Sequence, residues 1–167
     1  MAHSTLTVAG EIYFTYLTND LFNIVSLKTM YRGKNMKDDK GNSLVDDFAI
    51  SQDERGAFDQ FLKTAANLVF RSVLKITKGV DDAILIDIDS STTAAVVLKI
   101  IDNDAYNENV LTYVDFLIKE TIIYKIMSEW YKTCGHDTEY AKMEANYQES
   151  NRQLFDGLFE LRKPLIS

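Results

Sequence analysis

Between Val110 and Tyr131 the chain carries more apolar residues than one face of a helix can hold. Val110, Val114, Leu117, Ile118, Ile122, Met127, Trp130 and Tyr131 recur at helical spacing, while Leu111, Phe116, Ile123 and Ile126 fall on the remaining faces. A helix of this kind is either central in its fold or covered by a neighbour. Asp115, Lys119, Glu120, Lys125 and Glu129 interrupt it, so it does not read as a membrane span, and no membrane partner is expected.

The only proline, Pro164, lies near the end, so long uninterrupted helices are possible everywhere else. Ser51-Gln52-Asp53-Glu54 is a capping box, in which serine and glutamate satisfy each other's backbone N–H groups. Behind it Phe58, Phe61, Leu62, Ala65, Leu68, Val69, Val73 and Ile76 predict an amphipathic helix over 51–79. Ala83–Asp89 and Ala94–Ile101 are β-branched runs around a short polar link, which predicts a hairpin within 83–102. An isolated hairpin is marginal in water, so it must pack on helices or on a copy of itself. The region 108–163 predicts two long helices broken at Cys134-Gly135, with Gly135 in the left-handed cap. The first half of the last helix is polar on nearly every face and reads as a projection. Residues 1–50 are the least regular: a short strand over 11–16, a helix from Thr18 or Asn19 to Gly33, and an exposed loop over 33–50. The expectation is one domain over 1–167, mainly α: a bundle of three to four long helices with one β-hairpin insertion.

The 18 Lys and Arg face 25 Asp and Glu, a net charge of −7, which argues against a general nucleic-acid binder. Seven acidic residues lie between 81 and 108, among them Asp87, Asp89, Asp102 and Asp104, against the single cation Lys99. This acidic patch is either a solvated sheet end that aids solubility or a surface that repels a polyanion. One cysteine excludes an internal disulfide and a thiolate zinc cage. Met1-Ala2-His3-Ser4-Thr5 does not open a signal peptide.

Chemistry-bearing motifs are scarce. Asp87-Ile88-Asp89 opens like a calcium loop, but Thr92 and Leu98 stand where glycine and glutamate belong; Asp102-Asn103-Asp104 fails at Asn107 and Tyr113. Cys134-Gly135-His136-Asp137 reads as a helix–turn–helix corner, since a helix C-terminus raises a thiol pKa. No nucleotide, nucleophile-elbow or zincin motif is present, and two histidines offer little for acid–base work. No catalytic residue, cofactor or metal is expected.

The run Tyr113–Glu120 leading into Tyr124-Lys125-Ile126-Met127-Ser128-Glu129-Trp130-Tyr131, a glycine turn, Glu139-Tyr140, Tyr147 and a closing Leu161-Arg162 resembles the small head–tail connector, or neck ring, proteins of tailed bacteriophages, in particular crAss-like and related phages of Bacteroidetes. The likeness covers 105–163. It implies a non-enzymatic virion protein, present in the host cytoplasm during assembly. Copies would form a homo-oligomeric ring that contacts the portal and other neck or tail proteins, with DNA passing through without specific binding. On that reading Asp87, Asp89, Asp102 and Asp104 line the channel, and Phe116, Ile123, Trp130 and Tyr131 form the subunit interface. The 33–50 loop and the polar half of the last helix would be docking arms. The alternative is a cytosolic helical protein-binding module whose acidic face mimics DNA.

Overall fold

The computed structural model describes residues 5–8, 11–77, 83–86, 94–101 and 108–161. In chain order they form β1 (Thr5–Val8), β2 (Glu11–Leu17), α1 (Thr18–Asn35), α2 (Val45–Phe48), a 3₁₀ turn (Gln52–Glu54), α3 (Arg55–Thr77), β3 (Ala83–Ile86), β4 (Ala95–Ile101), α4 (Glu108–Thr133) and α5 (Asp137–Leu161). The chain is mainly helical, with four long helices and an antiparallel β3–β4 hairpin among the described residues, as the patterning predicts.

The hairpin is half of a larger sheet. β1 and β2 join it in the order β1-β2-β4-β3, with every neighbouring pair antiparallel. The register sets Ile12 opposite Ile100, Phe14 opposite Leu98 and Tyr16 opposite Val96, and all six are buried. Successive strand residues face opposite sides, so these pairs make one apolar face. Helices cover it, with α3 against β3 and β4, and α1 against β2. Helices and β2 therefore meet the hairpin's need for a covering surface within one chain.

α3 begins where the capping box places it. Ser51 N–H donates to Glu54 Oε2 at 2.8 Å, and Asp53 N–H donates to Ser51 Oγ at 3.3 Å. Its core face is Phe58, Leu62, Ala65, Ala66, Val69, Phe70, Val73 and Ile76; Leu68, placed inward by simple spacing, is 44% exposed. α1 has no side-chain cap. Leu17 occupies that position, and the Thr18 N–H donates to the Ala94 carbonyl at 2.9 Å, so the strand layer satisfies the helix start.

Gly33 does not end α1 but lies in its last turn, buried against the next segment. A Cβ there would stand 2.7 Å from Val45 Cα and 2.9 Å from the Leu44 carbonyl oxygen. Within the 33–50 stretch residues 37–43 are exposed, as the loop reading expects, but their flanks fold into the core. Asp38 Oδ1 accepts from the Lys40 and Asn42 N–H groups, Gly41 takes a left-handed φ of 83°, and Lys37 bridges Ser43. This turn folds back into α2, whose Phe48 is buried, and Ile50 follows it into the core.

These contacts predict opposite outcomes for two glycines. Gly33→Ala should lower stability in chemical denaturation by about 1–3 kcal/mol, because the obstructing atoms are backbone. Gly56→Ala, which would meet nothing within 4 Å, should raise it by up to about 1 kcal/mol.

Candidate functional site

α4 and α5 lie antiparallel across a corner built by three backbone bonds. Cys134 N–H donates to Trp130 O at 3.0 Å, Gly135 N–H to Lys132 O at 3.2 Å, and His136 N–H to Tyr131 O at 2.9 Å. With Gly135 at φ 76°, this is a Schellman closure. His136 stacks on Phe48 at 4.1 Å, and its Nε2–H donates to the Asp47 carbonyl at 2.9 Å, since a carbonyl can only accept. Burial, and then Glu54, pushes the Cys134 thiol upward. A raised thiol beside a committed imidazole has no activated-nucleophile character.

Next to the corner, Arg32 on α1 forks onto Glu139 in the first turn of α5. Nε reaches Oε2 at 2.8 Å, and Nη2 reaches Oε1. Glu139 is 3% exposed while Arg32 is 35% exposed, so the carboxylate is the buried partner. Two grooves flank the pair. One, of about 290 Å³, lies between α1, α4 and α5 and is lined by Lys28, Arg32, Met127, Tyr131, Lys142 and Met143 among others. The other, of about 380 Å³, is walled by Met36, Leu44, Phe48 and His136. Tyr131 is wholly buried, and its hydroxyl has no hydrogen-bond partner among the described residues. Burial, and then the nearby Glu139 carboxylate, push that phenol far above its ordinary range. An unpaired buried hydroxyl costs about 1–3 kcal/mol.

Further along, polar contacts seat the first half of α5 on α4. Ser128 Oγ donates to Glu144 Oε2 at 2.7 Å, Lys125 reaches both Glu129 and Glu144 at 3.4 Å, and Thr121 and Ser150 share a buried bond of 2.7 Å. The reading of this half-helix as a projecting arm is therefore corrected: these polar contacts, with Tyr140, Met143 and Tyr147 packed partly buried against the core, dock it along its length. Burial opposes ionisation of Glu144, but the Ser128 hydroxyl and Lys125 ammonium outweigh it and hold the carboxyl below its ordinary value.

The expected interface residues separate. Ile123, Trp130 and Tyr131 are buried within the chain, at 1%, 7% and 0% exposure. Trp130 Nε1–H donates to the Phe48 carbonyl at 2.8 Å, and Tyr131 meets Phe48 edge-on at 5.8 Å. Their assignment to a subunit interface is corrected, because the chain's own core covers them, with Phe48 of α2 closing over Trp130 and Tyr131. Phe116 alone of that set is exposed, at 57%. Asp87, Asp89, Asp102 and Asp104 lie outside the described residues. Sequence reasoning missed the Arg32–Glu139 pair. Its partners are 107 positions apart, and only a charged residue in a first helical turn hinted at it.

Among the described residues no group of three or more His, Cys, Asp or Glu side chains could hold a metal ion, and no helix is long and apolar enough to cross a membrane. No protein-family model, no curated protein and no solved structure matches this chain.

Two outcomes follow from the polar contacts. Arg32→Met removes both charge-assisted hydrogen bonds of the buried Glu139 carboxylate and should cost about 2 kcal/mol in denaturation, discounted because water reaches Arg32; Arg32→Met with Glu139→Gln should recover part of it. Glu144 is depressed in the fold, so its contribution is complete above the ordinary carboxylate value of 4.5 and drains as pH falls through the lower folded value. Melting temperature against pH should therefore fall less steeply below that point in Glu144→Gln than in the parent.

Proposed function

We propose that this chain is a structural, non-enzymatic virion protein. Copies pack side by side into a ring at the phage head–tail connector, linking portal to tail around the DNA channel. The resemblance over 105–163 supplies the class. The observation that carries the assembly is an aromatic end. Tyr113, Phe116 and Phe159 are 47%, 57% and 65% exposed. Because α4 and α5 are antiparallel, the start of α4 lies beside the end of α5. The Tyr113 ring lies over Gly157, where an added Cβ would meet it at 3.3 Å. Exposed aromatic rings at one end of a closed core favour a protein contact. The acidic run 81–108 suits a channel lining, where it repels DNA phosphates and prevents sticking. The ring interface proposed here rests on Phe116 and its exposed neighbours, not on Ile123, Trp130 or Tyr131.

A second reading is favoured by the core itself, which needs no neighbour to be complete: a cytosolic protein-binding module whose acidic face mimics DNA.

Mass photometry and negative-stain microscopy, with and without the portal protein from the same genome, separate the two. The ring reading expects closed rings on the portal and the chain among purified virion proteins. Phe116→Lys with Phe159→Lys should abolish the rings without lowering the melting temperature. Asp87→Lys with Asp89→Lys should preserve rings but impair genome packaging or ejection. A monomer that ignores the portal and is absent from virions overturns the proposal.

A further inference from the structure

The groove between α1, α4 and α5 has a composition that the assembly reading leaves unused. Its walls are apolar, with Met127 and Met143 among them, and its volume of about 290 Å³ falls at the small end of ligand pockets. Lys28, Arg32 and Lys142 supply three cations to the same cavity, against the one carboxylate of Glu139. That is a locally positive site on a chain of net charge −7. A cation would be repelled, and an inorganic anion would leave the methionine wall uncovered.

We propose that this groove binds a small organic carboxylate, its charged end between Arg32 and Lys142 and its apolar body against Met127 and Met143. The choice of carboxylate comes from Arg32. Its guanidinium already grips Glu139 through two parallel bonds, and an incoming carboxylate competes for the same fork by the same geometry. Such competition ordinarily fails, because it leaves a buried carboxylate without a donor. A substitute donor lies nearby, out of bonding reach while Arg32 holds Glu139. The Tyr131 hydroxyl belongs to a wholly buried residue lining the same cavity, and it has no partner among the described residues. In the proposed exchange Arg32, partly exposed, turns toward the ligand, and the released Glu139 carboxylate swings over to accept from the phenol O–H. The exchange keeps every charged group hydrogen-bonded and gives the orphaned hydroxyl a partner. No covalent step is involved.

The test is a titration of the intact protein, labelled at the methionine methyl groups, with sodium benzoate as probe and the neutral isostere benzamide as control, at constant ionic strength by NMR. Benzoate should shift the Met127 and Met143 methyls saturably in the millimolar range, and benzamide should bind about tenfold more weakly. Tyr131→Phe removes only the orphaned oxygen. It should weaken benzoate binding about fivefold while leaving the melting temperature undiminished. Lys142→Glu, on the exposed rim, should weaken it by at least as much. Equal affinity for benzamide, absence of saturation at either methyl, or unchanged benzoate affinity in Tyr131→Phe would each overturn the proposal.

Discussion

The structure depends on one burial problem: α4 is apolar around most of its circumference and has to be surrounded. α3 and α5 pack along it, α1 and β1 touch it, and α2 closes its C-terminal end through Phe48. Several polar groups on this helix meet a specific partner, the buried Tyr131 hydroxyl being an exception among the described residues. Asp115 Oδ1 accepts the Tyr16 hydroxyl at 2.7 Å, which ties α4 to the middle of the sheet. Burial, followed by the charge of Asp115, holds that phenol well above its ordinary pKa, which keeps it the donor in this bond. Encirclement explains why β2 joins the hairpin: without it the Ile12–Phe14–Tyr16 half of the buried sheet face would be missing from the core.

The second constraint is how α5 stays docked where it has little apolar surface. In its last third Leu154, Leu158 and Leu161 are buried, and hydrophobic burial suffices. Before that, Tyr140, Met143 and Tyr147 pack only partly buried, the pairs Thr121–Ser150, Ser128–Glu144 and Lys125–Glu144 add directional contacts to α4, and the helix start is gripped from α1 by Arg32. Polar contacts of this kind are worth little each but are directional, so they fix register between two helices that greasy contact alone would let slide. The Schellman corner then determines where Glu139 lies, and Glu139 determines how two grooves open on either side of it.

What could be read in the chain beforehand was local. The Ser51–Glu54 box, the 3.6-residue repeat behind it, the left-handed Gly135 and the β-branched runs at 83–86 and 95–101 act within a few residues of themselves, and each appears at its expected place. What was illegible depends on distant partners. Nothing near Gly33 signals that Val45 will press on it, and nothing in Glu11–Leu17 says that β4 lies beside it. The excess of apolar residues on α4 was visible, yet whether a neighbouring copy or the same chain covers it is a question of tertiary arrangement, and the same chain does so at Ile123, Trp130 and Tyr131. The candidate site was hardest to see, because Arg32, Tyr131 and Glu139 form no motif and meet only when three helices pack.

Closure of the core changes what a ring can be made from. A side chain such as Phe or Tyr buries about 150–250 Å² when fully covered. Three partly exposed rings at Tyr113, Phe116 and Phe159 therefore fall short of the roughly 800 Å² per partner that a stable interface uses. A contact made through them is weak between two free copies. It becomes strong only when each subunit is held at the same time by a third surface, because the second contact is then intramolecular and its effective concentration is high. In the ring we propose, a portal would supply such a surface, and ring closure would double the contacts of every subunit. Assembly through the aromatic end is thus expected to be templated and not spontaneous. A chain that folds completely alone and joins a ring only at its docking site is the physical form in which a self-sufficient core and an oligomeric role are compatible.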